Sequence, residues 1–124
     1  MQVETIPPLA ATDAEIGYTF SVKFRFNVTP LVARQKANVY LLMNVGNMLS
    51  AGEPTLLLTD GAYWKIPVWC AYPDFKRREH LGDLIMDTGS GEIDLGRSSF
   101  TSAAAIEARA EAIYHSLSAL STGV

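Results

Sequence analysis

The sequence predicts an α+β fold, in which a curled antiparallel sheet packs on one long helix and a second helix is added at the carboxyl end. Three patterns indicate this fold: apolar and polar residues alternate in several short segments, a helix-forming stretch follows the first of them, and another closes the chain. The predicted order is β-α-β-β-β-β, with the last helix outside the sheet-helix pair. We expect residues 17–124 to form one domain and residues 1–16 to form an extended arm.

Composition limits the classes of function. Of the 124 residues 48% are apolar and 19% are charged, which is typical of a chain with a sizeable core. The net charge of −3 argues against general nucleic-acid or anionic-membrane binding. The sequence shows no long apolar run and no basic leader followed by a hydrophobic stretch, and its one cysteine is Cys70. We therefore expect a cytoplasmic protein without membrane contacts.

The first strand is predicted over residues 17–28. Apolar residues occupy every second position there, and polar residues lie between them, so that one face meets a core and the other meets water. The apolar positions are Tyr18, Phe20, Val22, Phe24, Phe26 and Val28.

A helix is predicted over Leu31–Ser50. Thr29 supplies a capping hydroxyl, Pro30 suits the first helical position, and Gly52 suits the end. The predicted buried stripe consists of Ala33, Ala37, Leu41, Val45, Met48 and Leu49. Residues 39–43 are all apolar, so this part of the helix is apolar on every side and needs more cover than one sheet provides.

Four more strands are predicted, over residues 54–59, 63–72, 81–86 and 92–95. Asp60-Gly61 forms a hairpin turn between the first two, and Pro67 indicates an edge position or a bulge. Residues 73–80 are predicted to be a charged loop, and residues 87–91 a turn. Hydroxyl residues over 98–102 then cap a helix over residues 102–120. Its predicted stripe is Ile106, Ala110, Ile113, Tyr114, Leu117 and Leu120.

This order of a strand, a long helix and antiparallel strands, over residues 17–95, resembles the cystatin-like fold. Residues 82–93, GDLIMDTGSGEI, are similar to the closing hairpin of PepSY-type domains, in which an aspartate precedes a tight glycine turn and a glutamate. The resemblance implies a small α+β domain. The Gln-x-Val-x-Gly hairpin of the inhibitory cystatins is replaced here by Thr59-Asp60-Gly61-Ala62, so the resemblance does not carry protease inhibition with it.

Residues 84–90, LIMDTGS, also resemble the aspartic-protease signature, in which apolar residues precede Asp-Thr-Gly-Ser. The aspartate of this motif is Asp87. That chemistry needs two carboxylates sharing a proton, so a chain with one motif would have to dimerise. Few residues follow the motif and many of them are predicted to be helical. A β-turn in which Asp87 and Thr88 bond the turn amides is the preferred interpretation, and the dimeric enzyme stays an alternative.

Other site chemistries find little support in the sequence. The acids Asp83, Asp87, Glu92 and Asp94 lie near His80 but lack the ligand spacing of a calcium loop, and one cysteine with two histidines is too few for zinc. Cys70 falls on an apolar strand face and has no evident base. We therefore predict no catalytic residues, no metal and no cofactor. The basic residues are scattered, so we do not expect nucleic-acid binding.

The functional prediction rests on surplus apolar surface. The predicted interface residues are Tyr40, Leu42, Met43, Tyr63 and Trp69. This apolar surface would be covered by the last helix, by a second copy of the chain or by another protein. The leading hypothesis is a non-catalytic protein–protein interaction module that self-associates, as a homodimer. A sensor holding a small ligand between sheet and helix is a further alternative.

Overall fold

The computed structural model describes residues 2–5, 27–46 and 48–122, and it confirms an α+β fold. In this part of the chain an open five-stranded sheet carries two α-helices. The elements are β1 (Gln2–Thr5), α1 (Pro30–Asn44), β2 (Leu49–Ala51), β3 (Thr55–Leu58), β4 (Ala62–Tyr72), β5 (Arg77–Asp87) and α2 (Ala103–Thr122). A 3-10 turn, Pro73–Phe75, joins β4 to β5.

Strand β4 is the centre of the sheet. Its whole length pairs with β5 on one edge, and β3 and then β2 pair with the other edge, all antiparallel. Beyond β3 lies β1, which runs parallel to it. The even-numbered residues of β4 are buried, as the alternation predicts, and they face the helices; the odd-numbered residues form the outer face.

Pro67 lies in this central strand and not at an edge. Its carbonyl oxygen accepts the Gly52 amide (2.8 Å), so its nitrogen faces the interruption between β2 and β3, where no amide is needed. The pairing of β4 with β5 shifts register between Val68 and Trp69, where Leu81 of β5 is the extra residue, so the irregularity lies in the partner strand and not at Pro67. The edge alternative for Pro67 is wrong.

Helix α1 begins as predicted and ends earlier than predicted. The Thr29 hydroxyl accepts the Val32 amide (3.2 Å), and Pro30 is the first helical residue. The helix stops at Asn44, and the amides of the next two residues both bond the Leu41 carbonyl oxygen (2.9 Å). The prediction of a helix to Ser50 is wrong, since β2 pairs there with β4.

Most of the predicted first strand lies outside the described residues. Its last two residues, Asn27 and Val28, form a bend whose amides both bond the Thr88 carbonyl oxygen (3.1 Å). Val28 is buried, and its carbonyl oxygen accepts the indole N–H of Trp64 (2.8 Å). Of the predicted arm, residues 2–5 form β1, and the rest also lies outside the described residues.

The loop predicted over residues 73–80 is shorter than expected, because β5 already begins at Arg77. The strand predicted over residues 92–95 is wrong: only Ile93 makes a bridge, to Met86. Side chains also make hydrogen bonds along this edge of β5. The Ser98 hydroxyl accepts the Ile85 amide and the Ser99 hydroxyl accepts the Asp83 amide (both 2.9 Å). These bonds hold residues 94–99 against the strand.

Helix α2 also lies on the inner face of the sheet. The Ser102 hydroxyl accepts the Ala105 amide (3.2 Å), Ile106 and Leu117 are buried, and the Tyr72 hydroxyl donates to the Ala110 carbonyl oxygen (2.8 Å). Ahead of the helix, buried Phe100 packs on Gly82, whose φ is 156°. A Cβ at that glycine would lie 2.7 Å from the Phe100 ring. The helix therefore does not cover α1 from outside.

Neither α1 nor α2 is long and apolar enough to cross a lipid bilayer.

Candidate functional site

The outward side of α1 carries a group of exposed apolar side chains, with exposed Gln35 among them, and we call this side the α1 face. Five large apolar side chains on it are between 37% and 76% exposed: Leu31, Val32, Val39, Leu42 and Met43. On the opposite side of the helix, Ala33, Ala37 and Leu41 are fully buried. The two alanines are small, so the helix lies close to the sheet there. No described segment covers the α1 face.

Two of the predicted interface residues, Leu42 and Met43, lie on this face and are 61% and 76% exposed. A third, Tyr40, is half-buried and packs against the core at the border of the face. Three residues of the face were not among those predicted. The signal for them was present, because Leu31 and Val32 stand at helical spacing from Val39, Leu42 and Met43.

A groove runs beside the α1 face, between the helix and the turn that follows β5. It has a volume of about 670 Å³ and is mainly apolar. Its walls are formed by Val32, Gln35, Lys36, Val39 and Tyr40 on α1 and by Met86, Gly91, Glu92 and Ile93 opposite. The turn approaches α1 closely because Gly91, with φ 73°, has no Cβ; one there would lie 3.2 Å from Lys36 Cε.

The other two predicted interface residues, Tyr63 and Trp69, lie on the outer face of the sheet. Both are half-buried beneath a guanidinium group: Arg97 lies 4.6 Å from the Tyr63 ring centre, and Arg78 lies 4.4 Å from that of Trp69. The His80 ring also packs on Trp69, at 5.1 Å. The structure therefore does not bring these two aromatics together with Leu42 and Met43.

Acids accompany several cations of the outer face. The Lys65 ammonium bonds Glu4 (2.9 Å), and Arg97 bonds Asp60 (2.6 Å) and Asp94 (3.2 Å). The bond with Glu4 raises the pKa of Lys65, and the bond with Arg97 lowers the pKa of Asp60. With these partners, such cations offer little free charge to a polyanion. Lys23 and Arg25 of the predicted first strand lie outside the described residues.

Asp87 is engaged in the turn after β5. Its Oδ1 accepts the amides of Gly89 (2.7 Å) and Ser90 (2.9 Å), and these bonds lower the pKa of the carboxyl, that of Ser90 most. The predicted turn is present, with one difference: the buried Thr88 hydroxyl donates to the Ala62 carbonyl oxygen (3.0 Å), not to a turn amide. The two bonds to Asp87 Oδ1 favour the ionised carboxylate.

The acids considered as metal ligands have other partners. Asp83 contacts His80 (3.1 Å), and Asp94 bonds Arg97. Among the described residues no group of three or more His, Cys, Asp or Glu side chains is placed to hold a metal ion.

Comparisons of the chain with protein-family models, with curated proteins and with solved structures found no match. The resemblance to cystatin-like and PepSY-type domains therefore stays a prediction.

Proposed function

We propose that this protein is a non-catalytic interaction module that self-associates through the α1 face. The observation that carries the proposal is the exposure of Leu31, Val32, Val39, Leu42 and Met43 on one side of one helix. Exposed apolar patches of this kind mark interaction sites on water-facing domains. Burying one large apolar side chain contributes about 1.5–3 kcal/mol, so even partial cover of five of them favours association.

We propose a second copy of the chain as the partner, because exposed side chains and a groove lie next to each other on this surface. A two-fold dimer places the same patch on both sides, so a ridge on one copy needs a groove on the other. The ridge is formed by Leu42 and Met43, the most exposed end of the face, and the groove lies beside it along Val32 and Val39.

The register of this dimer follows from the spacing along the helix. If two antiparallel α1 helices are related by an axis midway between Ala37 and Asn38, Met43 of one copy meets the partner's Val32. Val39 then meets the aliphatic part of the partner's Lys36. α1 carries no acidic residue in its first turn and no basic residue in its last, so opposed helix dipoles favour this orientation.

The size of the apolar patch on the α1 face predicts a reversible dimer. Five partly exposed side chains amount to an apolar patch on the order of 500 Å², against roughly 800 Å² per partner in a standard stable interface. The groove walls supply part of the difference. We therefore expect dimers at micromolar concentrations, in exchange with monomers.

Light scattering after size-exclusion chromatography tests the proposal with two matched variants. Met43→Glu places a charge on the α1 face and should yield monomers at concentrations where the unaltered protein is dimeric. Leu120→Glu changes an equally exposed apolar residue, 75% against 76%, on α2 and should leave the dimer intact. Both positions are exposed, so we expect both variants to fold. A strictly monomeric parent protein, or equal disruption by both variants, would contradict the proposal.

We propose a cytoplasmic location from the composition of the sequence. Its one cysteine, Cys70, is a buried free thiol, a state that a reducing compartment preserves.

A further inference from the structure

A second cavity lies at the far end of the inner face, between α2 and the strands. Its volume is about 530 Å³, within the range of small-molecule sites. The end of α1 and β2 form one side, α2 the other, and β4 the floor. We call it the α2 cavity. It is separate from the α1 face and shares none of that face's residues.

The floor and walls of the α2 cavity are apolar. Leu49, Cys70 and Ala110 line it, together with the ring of Tyr72. The Tyr72 hydroxyl is already used, since it donates to the Ala110 carbonyl oxygen, and burial raises the pKa of the Cys70 thiol, which keeps it neutral. This interior offers contacts to an apolar group and no charge.

The mouth of the cavity is acidic. Asp74, Glu107 and Glu111 lie around it, and all three residues are exposed. Among the described residues, no lysine, arginine or histidine lines the cavity. Arg109 is also on α2 and outside the lining; its charge acts on the Tyr72 hydroxyl, and the three acids outnumber it. The electrostatic complement of this mouth is a positive charge.

An aromatic wall stands at the same mouth. The Tyr114 ring packs on Phe75 (5.5 Å between ring centres) and lies 6.4 Å from the Tyr72 ring, while its hydroxyl donates to Asp74 (3.3 Å). These contacts on three sides hold the ring in place. Aromatic faces attract cations, most strongly where acids add to the field.

We propose that the α2 cavity binds a small organic cation, an amine that carries an apolar chain or ring. The apolar part lies over Leu49, Cys70 and Tyr72. The ammonium group lies at the mouth, where it meets the Tyr114 ring and the carboxylates of Glu107 and Glu111. This inference goes beyond the proposed dimer and does not depend on it.

Three ligands of equal chain length test the class of ligand: octylammonium, octanoate and octanol. Octylammonium should raise the melting temperature and shift the NMR amide signals of Cys70, Tyr72 and Ala110. Octanoate should do neither, and octanol should bind about tenfold more weakly than octylammonium, since it lacks the charge. Equal binding of octanoate or octanol would overturn the proposal, as would signal shifts confined to the groove beside α1.

Charge variants test the site. Replacing Glu107 and Glu111 together by Gln should weaken octylammonium binding about tenfold and leave octanol binding unchanged. Glu92→Gln, which removes one acid beside the other groove, is the control and should bind as the parent does. An equal loss in the control would show an effect of overall charge and overturn the assignment. Met43→Glu should bind normally, so failure here and failure of the dimer are distinguishable.

Discussion

At the scale of single residues, Asp87 shows how one carboxylate organises a turn. Its Oδ1 accepts two amides, while the turn closes through the Gly91 amide and the Asp87 carbonyl oxygen (2.9 Å). These bonds favour the ionised form and hold the pKa of the carboxyl below its ordinary value of 3.8. The turn brings Gly91 against α1 and so shapes the groove beside the α1 face.

We expect Asp87→Ala to lower the free energy of unfolding by about 1 kcal/mol at neutral pH, because two amides lose their acceptor. Asp87→Asn keeps an acceptor oxygen and should cost less. The pKa of Asp87 is lower in the folded state than in the unfolded state, so its charge stabilises the fold at pH values above the unfolded pKa. This stabilisation is lost as the pH falls below 3.8 towards the pKa of the folded state. Urea denaturation at neutral and acidic pH measures this. If parent and Asp87→Asn lost stability equally on acidification, Asp87 would not carry the effect.

At the scale of elements, the boundary between α1 and β2 decides the architecture. The helix does not continue into residues 49–51, because the weak helix formers Gly46 and Asn47 follow α1 and because β4 offers the Leu49–Ala51 backbone a free edge. Side chains of α1 complete the arrangement: Asn38 accepts the Ala51 amide (2.8 Å), and Arg34 Nε donates to the Ala51 carbonyl oxygen (3.0 Å). The helix therefore caps the outer edge of β2.

Asn38→Ala should destabilise the fold by about 1–3 kcal/mol, because it leaves the amide of fully buried Ala51 without its acceptor. Asn38→Asp retains an oxygen at the same place, close to Arg34, and should recover most of the loss. Thermal unfolding of the two variants measures the difference. Equal stability of Asn38→Ala and the parent protein would mean that the Ala51 amide finds water or another acceptor.

Local patterns predicted the elements whose contacts are local. The alternation in β4, the Thr29 cap and the burial of Ile106 and Leu117 on α2 are present in the structure. The α2 stripe is wrong at Tyr114 and Leu120, which are 40% and 75% exposed. The predicted element boundaries were wrong where the structure of a segment depends on residues far away in the sequence. Residues 49–51 form a strand by pairing with β4, and residues 92–95 make only one bridge to β5, between Ile93 and Met86.

At the scale of the whole molecule, the placement of the two helices determines which surfaces are free. Both helices lie on the inner face, and α2 leaves the α1 face exposed. The sequence predicted the exposed apolar centre of α1 at Leu42 and Met43. It did not reveal that Arg97 and Arg78 would lie over Tyr63 and Trp69, because both arginines come from other segments.

The melting temperature of the protein should rise with its concentration, because dimerisation stabilises only the folded state. Leu42→Glu should remove this dependence, since it places a charge within the α1 face. Differential scanning calorimetry from low to high micromolar concentrations measures the effect, with Leu120→Glu as the variant that should keep it. A parent melting temperature independent of concentration would contradict association through α1.

The connectivity of β4 has a consequence for the order in which the chain acquires structure. Residues 73–76 alone separate β4 from β5, whereas residues 6–54 separate β1 from its neighbour β3. Closing a short loop costs little entropy, so the β4–β5 hairpin is the natural nucleus, and β1 joins last. Backbone amides of β4 should accordingly exchange slowest with heavy water, and those of Gln2–Thr5 fastest among the strands.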